Sequence, residues 1–349
     1  MAKWWREERG LETVGARNAS RPQAVWAAAL VGTVAWMTSG SFAFANDTPF
    51  ATWLAEVKTE ALQRGISQAT VDQALNIPEP ITRVLELDRS QPEFTLAFPD
   101  YLDKTVSPAR IATARKLYKE NHSLLKKIGA QYGVQPRFIV AFWGMESDFG
   151  RLTGGFNVPA ALATLAYDGR RATFFRDELF NALKIIDEGN ITAPAMTGSW
   201  AGAMGQTQFM PSSFHKFAVD ADGDGKRDIW TDKKDVFGSI AHYLAESGWK
   251  DEETWGRAVK VPKDFDAGLI SLDVKKTLNE WQALGVRKAD GHGLPKKELS
   301  ASLVRPGDEN APVFAVYDNY RTTLLWNRST FFALAIGHLA DSITPGKTD

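Results

Sequence analysis

The chain has 349 residues, 44% of them hydrophobic and 24% charged, with a formal net charge of −1. That is a globular balance, long enough for one large domain or two lobes, and the near-zero charge leaves no electrostatic footprint for nucleic acid. Cysteine is absent, which excludes disulfides, thiol catalysis, thiolate metal sites and a lipid carried on an N-terminal cysteine.

Residues 1–45 read as an export signal. Arg17 and Arg21 precede an apolar run from Ala24 to Met37, followed by Ser39-Gly40-Ser41 and Ala43-Phe44-Ala45. Positive charge, apolar run and small-x-small site come in the order of a secretory signal, with cleavage after Ala45. The run is short of the ~20 residues that a spanning helix needs. The mature chain then begins near Asn46 in an exported compartment. An uncleaved signal would instead anchor it in the membrane. The long n-region with Glu7, Glu8 and Glu12 is atypical of such signals.

From residue 46 to 135 the pattern is helical. Phe50, Trp53, Leu54, Val57 and Leu62 recur at helical spacing and stop at Gly65. Ser67 opens a short helix through Val71 and Leu75, broken by Pro78 and Pro80. Pro92 makes the stretch from Arg89 to Phe94 extended. Ser107-Pro108 caps a longer helix with Ile111, Ala114, Leu117, Leu124, Leu125 and Ile128 inward. These pieces form a lobe packed on a central helix.

That central helix starts at Pro136, which suits a first turn. The run Phe138-Ile139-Val140-Ala141-Phe142-Trp143 is apolar on every side, so this helix is expected to be buried all round. One carboxylate, Glu146, arrives at its end, with Gly150 as terminator. Apolar neighbours and the negative end of a helix both disfavour the charged form, the state that a general acid must avoid. The alternative is an exposed Glu that caps the helix or forms a salt bridge. Asp148, two residues on, faces roughly away and is expected to be structural.

A glycine-rich turn, Thr153 to Asn157, leads to a helix from about Pro159 to Ala166 and another from Arg170 to about Glu188. Arg170 and Arg171 either decorate a solvated face or hold a sugar or carboxylate beside the acid. The stretch from Ser199 to Phe214 is rich in small residues, which allow close approach. Gln206 and Gln208 offer neutral amides suited to hydroxyl- and acetamido-bearing ligands. The alternative for this stretch is tight helix packing with the glutamines exposed.

Asp220-Ala221-Asp222-Gly223-Asp224-Gly225-Lys226 matches the first half of a Ca²⁺ loop, with oxygens at positions 1, 3 and 5 and glycine at 6. The twelfth position is Thr231 instead of a bidentate Glu, and Asp235 lies further on. Four aspartates in nine residues repel unless a cation or water separates them. A plain Asx-turn loop is the alternative.

From 255 to 320 the character becomes part β. Arg257 to Val261, Ala301 to Val304 and Val313 to Tyr317 alternate like strands, around a helix from Leu272 to Leu284. A last segment, 321–349, carries Trp326-Asn327-Arg328-Ser329 into a final helix ending near Leu339. The five histidines are isolated, and a structural role is expected of each.

Glu146-Ser147-Asp148-Phe149-Gly150, the long run from Ala201 to Ser212, the Asp220–Trp230 loop and Trp326-Asn327-Arg328-Ser329 occur in the order in which they stand in the membrane-bound lytic murein transglycosylase B family, which the chain resembles from about Phe50 to Leu339. The resemblance implies a mainly α (α+β) fold: a lysozyme-like helical core at 136–254, the N-terminal lobe at 46–135, the small insertion at 255–320 and a C-terminal helix returning to the core. It implies cleavage of the MurNAc–GlcNAc β-1,4 bond of peptidoglycan by Glu146. Ser199, Gln208, Asn327, Arg170, Arg171 and Phe174 would contact the glycan, as would Trp326 and Phe332, which stand where the family often has Tyr.

The same resemblance puts a structural Ca²⁺ on Asp220, Asp222, Asp224, the carbonyl of Lys226 and Asp235, with no cofactor for the chemistry. The partners would be peptidoglycan glycan strands and, beyond them, cell-wall synthesis or secretion complexes, with no nucleic acid. The protein would act as a soluble periplasmic monomer, or from the inner membrane if uncleaved. With one carboxylate, Glu146 acts first as acid and then as base, and the C6 hydroxyl closes on C1 to give a 1,6-anhydro-MurNAc end. A hydrolysing muramidase, which needs a second carboxylate, and a non-catalytic peptidoglycan-binding scaffold are the competing readings.

Overall fold

The computed structural model describes residues 48–90 and 96–344. The expected signal segment lies outside these residues, as does most of the extended stretch around Pro92. Among the described residues the N-terminal part is six helices: α1 (Phe50–Gln63), α2 (Gln68–Ala74), α3 (Thr82–Arg89), α4 (Phe98–Thr105), α5 (Pro108–Glu120) and α6 (His122–Tyr132). Ser67 and Ser107 cap α2 and α5 by accepting from Thr70 N and Arg110 N. The single helix expected from Ser107 through Ile128 is broken in two at Asn121, whose side-chain amide turns back to the carbonyl of Leu117. Asn readily takes such local backbone bonds in place of helix continuation.

Next comes α7 (Pro136–Ser147), with every residue from Arg137 to Gly144 buried. α5, α6 and the later helices α11 (Lys233–Glu246) and α14 (Thr330–Ile343) pack along it. The expectation of a helix buried on all sides holds. It stops because Asp148, Phe149 and Gly150 take left-handed backbone angles, φ 50°, 60° and 84°. The Phe149 ring folds back over Gly144, where a Cβ would come within 2.6 Å of it.

Between α7 and α11 run β1 (Phe156–Asn157), α8 (Val158–Asp168), α9 (Ala172–Asp187), β2 (Thr197–Gly198) and α10 (Pro211–Phe217), with β1 and β2 paired antiparallel. After α11 the chain builds a five-stranded antiparallel sheet from β3 (Gly256–Lys260), β4 (Lys276–Thr277), β5 (Arg287–Lys288), β6 (Ser300–Val304) and β7 (Val313–Val316), in the order β4-β6-β7-β3-β5. This sheet has its own apolar core around Leu278, Trp281, Leu303 and Tyr317.

The helix expected over Leu272–Leu284 is only α12 (Leu278–Ala283). Lys276 and Thr277 pair with β6 instead, and Thr277 and Glu280 close a capping box that starts the helix there. The chain then returns through α13 (Asp318–Trp326) to α14. Among the described residues no helix is long and apolar enough to cross a membrane.

Candidate active site

The C-terminal end of α7 presents Glu146, half-buried. Its Oε1 accepts from the indole Nε1 of Trp326 at 2.5 Å. Trp326 closes α13 and is 2% exposed, with ring centroids 4.4 Å from Tyr243, 4.8 Å from Phe142 and 5.3 Å from Phe209. Two tyrosines feel the acid. Burial pushes Tyr101 and Tyr243 up to about 12, and the negative charge of Glu146 adds to the rise in each. Both hydroxyls therefore stay protonated, and Tyr243 donates its own to the carbonyl of Leu325 at 2.9 Å. Sequence reasoning missed them: Tyr101 on α4 and Tyr243 on α11 are far from Glu146 along the chain, and no motif marks either.

The residue after the acid ties α7 to the small-residue segment. Ser147 donates through Oγ to the carbonyl of Gln206 at 2.8 Å. Trp143 donates from Nε1 to Gln206 Oε1, and Gln206 Nε2 donates to the carbonyl of Trp230, both at 2.8 Å. The amide of Gln206 is thus engaged at both ends by the protein. The expectation that it serves a ligand is corrected: it braces the site from behind.

Gln208 differs. Its Nε2 donates to the carbonyls of Thr153 and Gly205, each at 3.0 Å, from a left-handed backbone of φ 51°. Its side-chain N–H donors are thus taken up by the protein. The loop after α7 lies directly on Ser199. A Cβ at Gly154, which has φ +93°, would sit 2.1 Å from the carbonyl oxygen of Gly198 and 2.6 Å from Ser199 N. Only glycine allows that contact.

Ser199 Oγ accepts from Ala203 N at 3.0 Å, and Asn327 Oδ1 accepts from Ser329 N at 3.0 Å. The structure therefore brings Glu146, Trp326 with the adjoining Asn327, and the 199–209 segment together. The rings of Tyr243, Phe142 and Phe209 cover Trp326, which therefore presents no open aromatic face to a glycan; Phe332 is 7% exposed and lies 6.3 Å from the Phe142 ring. Arg170 binds the buried Asp88 of α3, and Arg171 lies over the Phe174 ring at 4.5 Å. These three residues sit at the start of α9, where the ion pair with Asp88 ties Arg170 to the N-terminal lobe.

In the aspartate loop, Asp220, Asp222 and Asp235 bring one carboxylate oxygen each within 4.8 Å of one another. Asp224 is not in this group, and its Oδ1 accepts from Lys226 N at 2.8 Å. Asp235 is 1% exposed, and its carboxyl is pushed up to about 6 by burial, against backbone donors from Ala221 and Asp228. The Lys234 ammonium stands 3.2 Å from Asp222 Oδ2, a cation where the carboxylates converge. Three hard oxygen donors at this spacing fit a divalent cation such as Ca²⁺.

An acid delivered by a buried helix to a site of tyrosines and neutral amides defines a lysozyme-like, glycan-cleaving enzyme. The chain belongs to the family of the Transglycosylase SLT domain, whose family model matches residues 49–341. It is 28% identical over 297 residues to the membrane-bound lytic murein transglycosylase B of Escherichia coli K12, covering 80% of this chain and 79% of that protein. Its fold matches SltB3 of Pseudomonas aeruginosa in complex with NAG-anhNAM-pentapeptide, with TM-score 0.83, 43% identity, and coverage of 85% of this chain and 80% of that one. It also matches the E. coli lytic transglycosylase Slt35 in complex with calcium, with TM-score 0.71, 26% identity, and coverage of 85% and 93%. The chain is a peptidoglycan lytic transglycosylase.

Proposed function

We propose that the chain cuts the MurNAc–GlcNAc β-1,4 bond with Glu146 as the only catalytic carboxyl, leaving 1,6-anhydro-MurNAc ends. The observation that carries this is the state of the neighbouring acid. Both oxygens of Asp148 are held by arginines, Arg110 at 3.4 Å and Arg151 on the other side. The carboxylate next along the chain from Glu146 is thus engaged, and not available as nucleophile or to activate water, the part that ordinary glycosidases give to a second carboxylate. The complex of the relative SltB3 with an anhNAM ligand supports the same product.

Glu146 protonates the glycosidic oxygen, and the MurNAc acetamido oxygen shelters the positive C1. Ionised Glu146 then takes the proton of the C6 hydroxyl, and O6 closes on C1. No water is consumed. Ring closure within one sugar gains from proximity, which is worth ~7–11 kcal/mol in favourable cases. Gln208, Ser199 and Asn327 are assigned to the glycan, and Arg170, Arg171 and Phe174 to its outer parts or stem peptides. The protein works on glycan strands in an exported, periplasmic setting as a monomer, with a Ca²⁺ held by Asp220, Asp222 and Asp235 stabilising the fold.

The test is digestion of purified sacculi with measurement of the product masses. Anhydro-MurNAc ends support the reading, and reducing-end MurNAc overturns it in favour of a hydrolase. Glu146→Gln is expected to stop turnover.

A further inference from the structure

We propose that Trp326 is a positioning residue that decides which oxygen of Glu146 carries the proton, an inference that rests on Glu146 being the acid. The indole Nε1–H meets Glu146 Oε1 at 2.5 Å. An indole N–H donates and has no lone pair with which to accept in return. A neutral carboxylic acid has one carbonyl oxygen, its better acceptor, and one hydroxyl oxygen, its donor. Oε1 faces a permanent donor and is therefore the carbonyl. In the protonated acid the hydroxyl then falls on Oε2, which is the oxygen that delivers the proton to the glycosidic bond.

The surroundings of Trp326 suit this role and not that of a sugar platform. It is 2% exposed and packed by the rings of Tyr243, Phe142 and Phe209. Tyr243 also donates its hydroxyl to the carbonyl of Leu325 at 2.9 Å, fixing the backbone one residue earlier. Held this way, the indole can reach the reaction through its N–H. A tyrosine hydroxyl in this place would rotate, donating or accepting, and would leave the proton free to occupy either oxygen. The indole removes that freedom.

The same bond acts during proton transfer. As the proton leaves Oε2 for the glycosidic oxygen, negative charge spreads onto Oε1 and the N–H···O bond becomes charge-assisted and stronger. An interaction that strengthens as charge develops lowers the barrier without tightening ground-state binding. In the second half of the cycle Oε2 takes back a proton from the C6 hydroxyl. The proton given to the departing oxygen is replaced by the one from O6, and the enzyme ends as it began.

The test replaces Trp326 with 3-benzothienylalanine, which keeps the shape of the ring and substitutes sulfur for the N–H. On isolated glycan strands kcat is expected to fall by about 10-fold or more, in the manner of a lost transition-state donor, with KM and melting temperature close to wild type. Unchanged kcat, or an effect confined to KM, overturns the positioning role. Trp326→Tyr, which restores a donor, is expected to turn over faster than Trp326→Phe; equal loss in both also overturns it.

A second readout needs no activity. The indole proton that disappears in Trp326→Phe is expected to resonate far downfield in the wild type and to move in Glu146→Gln. An indole resonance insensitive to Glu146→Gln overturns the contact. The underlying acid assignment fails separately: it falls if Glu146→Gln retains full turnover, whatever position 326 shows.

Discussion

Asp148 and Arg110 form an ion pair just beyond the acid, Nε to Oδ1 at 3.4 Å, and Arg151 occupies the other carboxylate oxygen. Asp148 also sits in a left-handed conformation, φ 50°, which Asn tolerates as well as any non-glycine residue. Asp148→Asn should therefore fold and lose less than about 10-fold in turnover, while Glu146→Gln loses about 10²-fold or more, the usual contribution of a general acid. Turnover on sacculi by both variants checks this. Equal collapse of the two would return Asp148 to the chemistry and revive a two-carboxylate hydrolase.

Much of this site could be read from the residues because it is local. The buried helix from Pro136, its terminal carboxylate and the glycine turn behind it are one continuous stretch, and apolar periodicity with proline and glycine punctuation suffices to place them. What could not be read is whatever depends on chain segments meeting. Tyr101 and Tyr243 arrive from α4 and α11, and the role of Gln206 is set by Trp143 and Trp230, both distant in sequence. Trp326 could be named as an aromatic site residue, but only the fold turns its N–H toward Glu146 and buries its faces. The two misjudged helices fail for a different reason. At Asn121 and Thr277 side chains offer the backbone a competing hydrogen bond, which overrides an otherwise continuous apolar pattern.

Gln206 carries the next expectation. Its side chain receives the Trp143 indole N–H and donates to the Trp230 carbonyl, and its backbone carbonyl receives Ser147 Oγ. Gln206→Ala leaves an indole N–H without its acceptor behind the active site. A stranded buried polar group costs about 1–3 kcal/mol, so denaturant unfolding should show a loss of about 2 kcal/mol or more. A variant as stable as wild type would mean that the amide is not bracing α7 and is free to serve substrate.

The aspartate loop gives a prediction independent of catalysis. An ion bound only to the native state at 100 times its Kd adds about 2.7 kcal/mol of stability. For a chain of this size each kcal/mol shifts melting by roughly 2–4 °C. Purified protein treated with chelator should therefore melt about 5 °C or more lower than with added Ca²⁺. Asp220→Ala should melt at the chelated temperature and ignore the ion. Identical melting with chelator and with Ca²⁺ would reduce the loop to its internal hydrogen bonds.

His338 on α14 makes the protein's stability sensitive to acid. Its ring lies among Trp255 at 5.4 Å, Phe314 at 5.6 Å and Phe98 at 6.4 Å, so one imidazole joins the sheet, α4 and α14. Burial holds its pKa below the ordinary histidine value of 6.5. The unfolded chain then binds a proton at a pH where the folded one does not, and stability follows the difference in bound protons. The stabilisation is complete above 6.5 and is lost as pH falls below it, through the depressed folded value. Asp341, one turn on, runs the other way, since burial raises its carboxyl and favours the folded state on acidification. Comparing wild type with His338→Leu at each pH cancels that second effect. Melting temperatures at pH 7.5 and pH 5 should show a smaller acid-side drop in the variant than in wild type. The same drop in both would mean that His338 does not report the pH of the interior.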